Sequence, residues 1–208
     1  MSRAVSSTPL LVVITGPSGV GKSTLCDNIR LALPGVSRAV TCTTRKPRSG
    51  ELDGVDYYFL GEEEFLARVD SDEFLENASV HGNHYGVLKS ELRAKLEGGS
   101  DVLLNIDVQG AATIRERAAT DPVLSRSLLT VFLCPPSVKE LEYRLRGRGT
   151  DTNEAIEKRL TNAKDETAQA GKFDHVLTSQ TREADAGRLL GIIESVRLDK
   201  REAILTNG

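Results

Sequence analysis

The run Gly16-Pro17-Ser18-Gly19-Val20-Gly21-Lys22-Ser23 constrains this chain more than any other feature. It fills the pattern G-x-x-x-x-G-K-[ST] at every fixed position. The apolar stretch Leu10 to Thr15 precedes it. A helical pattern from Lys22 to Leu33 follows, with Cys26, Ile29 and Leu33 on one face before the stop at Pro34-Gly35. A strand, a glycine loop and a helix in that order turn backbone N–H groups inward at the start of a helix, where anions bind. Lys22 is placed to reach the β- and γ-phosphates of a nucleotide, and the Ser23 hydroxyl to ligate Mg²⁺. The candidate ATP-phosphate residues are therefore Gly16, Pro17, Ser18, Gly19, Val20, Gly21, Lys22, Ser23 and the adjoining Thr24.

Three further apolar runs read as buried strands: Val102 to Asp107, Leu128 to Leu133, and His175 to Thr178. Helical patterns alternate with them. Ser137-Val138-Lys139-Glu140 has the form of a capping box and opens a helix bearing Val138, Leu141 and Leu145 on one stripe. Asn153 to Ala170 carries Ile156, Leu160 and Ala163, and Glu183 to Asp199 carries Leu189, Ile193 and Val196. Alternation of this kind predicts an α/β fold, a parallel sheet flanked by helices. Residues 40–91 break the rhythm with short β-like pieces (VTCTTR, VDYYFL, EFLENASV) and short helical ones, so they read as a mostly β insertion. The stretch from Arg144 to Thr152 is Arg- and Gly-rich and reads as irregular. The expected division is core 1–39 with the phosphate loop, insertion 40–91, core 92–143, lid 144–165 and core 166–208.

Composition removes several functions. The 208 residues hold 27 Lys+Arg against 30 Asp+Glu, a net charge of −3, with 4% aromatics and no Trp. That balance lacks the basic surface of a nucleic-acid binder and the aromatic platforms of a single-strand binder. Three cysteines without paired metal-ligand spacing argue for reduced thiols rather than disulfides or zinc. No apolar run nears the ~20 residues of a membrane span, and LLVVI is too short for a secretion signal. A cytoplasmic protein acting on small molecules, without nucleic acid or membrane and as a monomer or homodimer, is expected.

The phosphate loop alone leaves the reaction open. Asp107-Val108-Gln109-Gly110 follows a core strand, where Asp107 could orient Mg²⁺ through water, touch a substrate, or cap the next helix. A GTPase would use this element as its γ-phosphate sensor, but it would also need a late N-K-x-D motif. Asn162-Ala163-Lys164-Asp165 has its lysine in the wrong place. A nucleoside monophosphate kinase needs an acceptor-binding insertion and an Arg-rich lid, and both are visible.

The insertion makes the choice specific. Thr43-Thr44-Arg45-Lys46-Pro47-Arg48-Ser49-Gly50-Glu51, Gly54-Val55-Asp56-Tyr57, Glu73-Phe74-Leu75-Glu76, Gly82-Asn83-His84-Tyr85-Gly86, Ile106-Asp107-Val108-Gln109-Gly110, Pro135-Pro136-Ser137 and Gly147-Arg148-Gly149-Thr150 together resemble the guanylate kinase family. The resemblance runs in family order over most of the chain, from about residue 10 to about 180. It implies a P-loop nucleoside monophosphate kinase fold, transfer of the γ-phosphoryl group of ATP to GMP within purine metabolism, and Mg²⁺ accompanying the ATP. Arg45, Arg48 and Tyr57 flank a turn and can grip a monophosphate, with the Tyr85 hydroxyl in reserve. By resemblance Glu76 reads the guanine edge, assisted by Thr41 and Asp107. By resemblance also, Arg148 and Arg159 close over the ATP phosphates with Arg144 in support, whereas Arg146 is an ordinary exposed arginine. Lys22, Arg48, Arg148 and Arg159 are thus the candidate catalytic cations.

This chain departs from the family pattern at four places. Val87 and Asn105 stand where a hydroxyl and an acid are common, Ser179 replaces a frequent Asn near the adenine, and Thr41 replaces Ser but keeps the hydroxyl. These changes bear on affinity more than on reaction type. Two other readings remain: a guanylate-kinase-like module that only binds proteins, and a kinase for another small phosphate acceptor. The intact phosphate loop and the lack of any attached interaction domain argue against the first.

Overall fold

In a computed structural model, which describes residues 8–206 apart from 81, 148 and 150, two sheets divide the work. The core sheet is wholly parallel, in the order β2 (Val36–Arg38), β7 (Asp101–Asn105), β1 (Leu11–Thr15), β8 (Leu128–Cys134), β9 (His175–Thr178). The central strand β1 is buried along its whole length because helices cover both faces. Its alternation sorts the core. Leu11 and Val13 join Ile114 of α4 (Val108–Ala118), Leu124 of α5 (Pro122–Ser127) and Leu92 and Leu96 of α3 (Lys89–Glu97) on one side. Val12 and Ile14 join Leu25, Cys26 and Ile29 of α1 (Lys22–Ala32) and Leu189 and Ile193 of α8 (Arg182–Thr206) on the other.

The insertion folds on a second sheet, in the order β4 (Tyr57–Phe59), β3 (Thr41–Thr43), β6 (Asn83–Leu88), β5 (Phe74–Val80). Against it lies α2 (Glu62–Asp70), whose first turn holds Glu62, Glu63 and Glu64 where negative charge suits the helix dipole. A small separate core of Cys42, Phe65 and Phe74 holds it together, with the two phenylalanine rings stacked at 4.5 Å. Beside the core sheet, α6 (Val138–Arg146) and α7 (Asn153–Thr167) pair through Leu141, Leu145, Ile156 and Ala163.

Several boundaries differ from the sequence reading. Arg144 and Arg146 are not in an irregular patch but on the last turn of α6, each paired one turn back, with Glu140 and Glu142. The Ser137 hydroxyl caps Glu140 N–H at 3.1 Å, but the Glu140 carboxylate turns to Arg144, so only half of the capping box forms. The strand expected to reach Asp107 ends at Asn105, and the helix expected to reach Ala170 ends at Thr167. A strand was missed at Val36–Arg38, and another at Asn83–Leu88.

Candidate active site

The phosphate loop turns from β1 into α1. Gly16 holds φ +141°, and a Cβ there would stand 2.2 Å from the Leu133 carbonyl oxygen, so only glycine lets the loop leave the sheet here. Val20 N–H donates to the Pro17 carbonyl at 3.2 Å, closing the turn, and Gly21 then caps α1. Lys22, Ser23 and Thr24 form the first turn of that helix. The Lys22 ammonium folds back over the loop and donates to the Gly16 and Pro17 carbonyls.

Two recesses open on either side of this loop. The larger, about 390 Å³, runs from Gly19, Val20, Gly21 and Thr24 to Ser179 and Gln180. Arg144 closes its wall: Nη1 donates to the Val20 carbonyl at 3.0 Å and to Ser179 Oγ at 2.9 Å. Ser179 in turn donates to the buried Asp185 at 3.0 Å. Arg144 is therefore fastened to the core.

The second recess, about 230 Å³, lies between the core and the insertion. It gathers Thr41, Tyr57, Glu76, Tyr85 and Asp107 around Ser23 and Asn105. Glu76 is 3% exposed and takes no hydrogen bond from any described residue. Burial, then the nearby Asp107, pushes its carboxyl up to about 8. Asp107 caps α4 by accepting from Gly110 N–H at 2.8 Å while still lining the recess, so capping and site-facing roles coincide. Asn105 donates to Ser23 Oγ at 3.1 Å. Val87, wholly buried, packs into the core and pairs with Glu76 in the sheet.

Arg38 lines this second recess, and Arg45 stands over its Tyr57 wall. The Arg45 guanidinium forks onto Glu51 at 3.0 and 2.9 Å and lies 5.3 Å from the Tyr57 ring centre. Arg48 is exposed on the same turn; its N–H donates to Glu51 at 2.7 Å, and its charge acts on the same carboxylate. Tyr57 meets Tyr85 edge-on at 6.3 Å. On the far side of the loop, Arg159 of α7 donates to Ser18 Oγ at 3.0 Å and to Asp151 at 3.1 Å. Arg146 takes Glu142 and Asn153, away from the loop. Arg148, expected beside Arg159, lies outside the described residues.

Two residues here were not read from the sequence. Arg38, the last residue of β2, lines the second recess with its guanidinium 5.9 Å from the Tyr57 ring centre. Glu166 of α7 is half-buried; burial, chiefly, and the charge of Asp107 raise its pKa, and that of Lys22 opposes. Arg38 carries no local signal, because its three-residue strand is set by pairing with β7. Glu166 carries no local signal at all.

A phosphate loop at the end of a parallel sheet, with a recess on each side, defines a P-loop nucleotide-binding protein. The family model described as guanylate kinase matches residues 8–196. The chain belongs to the guanylate kinase family. It is 43% identical over 185 residues to a guanylate kinase of Fusobacterium nucleatum subsp. nucleatum, covering 89% of this chain and 96% of that protein. It is 46% identical to that of Bifidobacterium longum, covering 88% and 92%. The crystal structure of guanylate kinase from Anaplasma phagocytophilum superposes with a TM-score of 0.71 at 31% identity, over 92% of this chain and 88% of that one. The activity class is that of a nucleotide kinase, and the fold expected from the sequence is the one observed.

Proposed function

We propose that the two recesses hold ATP and GMP, and that the cleft between them transfers the γ-phosphoryl group to give ADP and GDP. The observation that carries this reading is Glu76, a nearly buried carboxylate without a hydrogen-bond partner among the described residues, aimed into the recess beside the phosphate loop. Guanine offers two donors, N1–H and N2–H₂, on one edge, and an ionised carboxylate accepts both. Adenine presents an acceptor at N1 instead, which would leave the carboxylate unmatched. Thr41 and Asp107 line the same wall.

The chemistry needs positioning and charge more than covalent help. An oxygen of the GMP phosphate attacks the γ-phosphorus of ATP, and the bond to the β–γ bridging oxygen breaks. Arg45, Arg48, Tyr57 and Tyr85 hold the acceptor phosphate, with Arg38 as a further cation on the core side. The loop N–H groups and Lys22 hold the ATP phosphates, and Arg159 with Arg148 offsets charge on the transferring group. In this reading residues 40–91 form the acceptor-binding unit and 144–165 the lid, with Arg144 supporting the ATP side from the core. Closure would exclude water as a competing acceptor.

Mg²⁺ suits the residues present. Ser23 supplies one hard oxygen at the loop, with Asp107 in the same recess, and Mg²⁺ takes most of its ligands from phosphate oxygens and water. When bound with ATP it would neutralise β- and γ-phosphate charge. The three thiols are unpaired, as a reducing cytoplasm would keep them, and no described helix is long and apolar enough to cross a membrane.

A coupled assay with ATP, Mg²⁺ and a panel of nucleoside monophosphates tests the reading. Turnover with GMP and little with AMP or UMP is expected. Activity on AMP or UMP but not GMP would defeat the acceptor assignment, and no ADP with any acceptor would point to a binding module.

A further inference from the structure

The position of the Glu76 carboxylate depends on a residue that carries no functional group. Gly110 is the third residue of α4, and its N–H donates to Asp107 at 2.8 Å. Its Cα faces the Glu76 side chain. A Cβ built on Gly110 would stand 2.6 Å from Glu76 Oε2, 3.1 Å from Glu76 Cδ and 3.3 Å from Ile106 Cδ1. The first distance is well inside van der Waals contact.

Both backbones are held by buried neighbours, although the insertion strand shifts register between Phe74 and Glu76. Residue 76 is paired with Val87 in the insertion sheet, and Val87 is wholly buried. On α4, Ala111 and Ile114 are also wholly buried against the core sheet. The part that can give way is the end of the Glu76 side chain, which is the part proposed to meet the substrate.

We propose that Gly110 is a specificity-determining positioning residue: its missing side chain lets the Glu76 carboxylate lie over the first turn of α4, where it meets the donor edge of guanine. Any side chain at 110 pushes that carboxylate off the edge. The inference rests on the ATP:GMP reading and deepens it, because it locates part of the acceptor selectivity in a helix of the core rather than in the insertion.

The test is Gly110→Ala. Alanine favours helix more than glycine does, and the closest contact of the new methyl is a side-chain end, so the variant is expected to fold. The KM for GMP should rise at least about tenfold while the KM for ATP stays within about twofold, as loss of one charge-assisted contact implies. The deciding arm repeats the substitution in a Glu76→Ala background. With no carboxylate left to displace, Gly110→Ala should change the KM for GMP by less than about twofold there, which is strong non-additivity.

Wild-type GMP kinetics in Gly110→Ala would overturn the inference. So would an equal loss in both backgrounds. A fall in melting temperature of more than about 5 °C would mean that the helix, not the carboxylate, gives way, and would overturn it too. The two levels separate cleanly. If the wild-type protein uses no GMP, the ATP:GMP reading fails. If it uses GMP and Glu76→Ala is GMP-selective while Gly110→Ala is silent, only the role of Gly110 fails.

Discussion

Arg159 Nη1 donates to Ser18 Oγ at 3.0 Å and so ties α7 to the phosphate loop across 141 residues of sequence. The same guanidinium rests on Asp151, whose side chain is 14% exposed, so the arginine is held beside the phosphate loop. If it offsets transition-state charge, Arg159→Ala should lower kcat by about 10² or more, by analogy with other transition-state arginines. Ser18→Ala, which removes only the hydroxyl contact, should lower it far less. Steady-state kinetics with thermal melts check this, and a wild-type kcat in Arg159→Ala would remove that role.

If Glu76 reads the guanine edge as proposed, GMP binding depends on pH. Its carboxyl, raised to about 8 by burial and then by Asp107, is mostly protonated near pH 7, whereas the guanine edge requires the ionised form. GMP binding at pH 7 should therefore release a proton, and GMP affinity should rise with pH up to about 8. Calorimetry in buffers of different ionisation enthalpy measures this, and zero net proton release would contradict it. For stability the sign is the reverse. A carboxyl raised from 4.5 to about 8 on folding contributes stability that is full below about 4.5 and is lost as pH rises through about 8. The ligand-free wild type should lose melting temperature across that window more steeply than Glu76→Gln.

Arg38 reaches the second recess from the edge of the core sheet, stacked loosely on Tyr57 and without an ion pair among the described residues. Arg38→Ala should raise the KM for GMP about tenfold, the scale of one charged hydrogen bond, and leave the KM for ATP nearly unchanged. Equal changes in both constants would argue for a general structural role.

Asp101 shows where the fold, rather than the site, is vulnerable. It is 8% exposed, accepts from Leu10 N–H at 2.8 Å and pairs with Arg197 of α8, so it joins the lead-in to β1, the start of β7 and the C-terminal helix. Asp101→Ala leaves a buried N–H and a guanidinium unmatched and should cost about 2–4 kcal/mol. Denaturant unfolding reads this directly, and kinetic constants at low temperature should stay near wild type.

The phosphate loop and the strand–helix alternation were legible in the sequence because both depend on neighbours a few residues apart: glycines where the backbone must turn tightly, and apolar residues at periods of 2 and 3.6. The strand at Val36–Arg38 was not legible, since three residues carry no period and its extended form comes from pairing with β7. The last turn of α6 was obscured by its Arg- and Gly-rich continuation. It is helical through Arg146 because Leu145 is buried and two ion pairs join successive turns. Residue types and spacing pointed to Arg45 and Tyr57, and the family resemblance added Glu76 and the assisting Asp107. Only the tertiary structure buried the Glu76 carboxylate in a recess with Asp107, against a glycine from another element, and brought Arg38 to the same recess. Burial and charge–charge coupling are set by which distant segments pack together, and no local pattern encodes them.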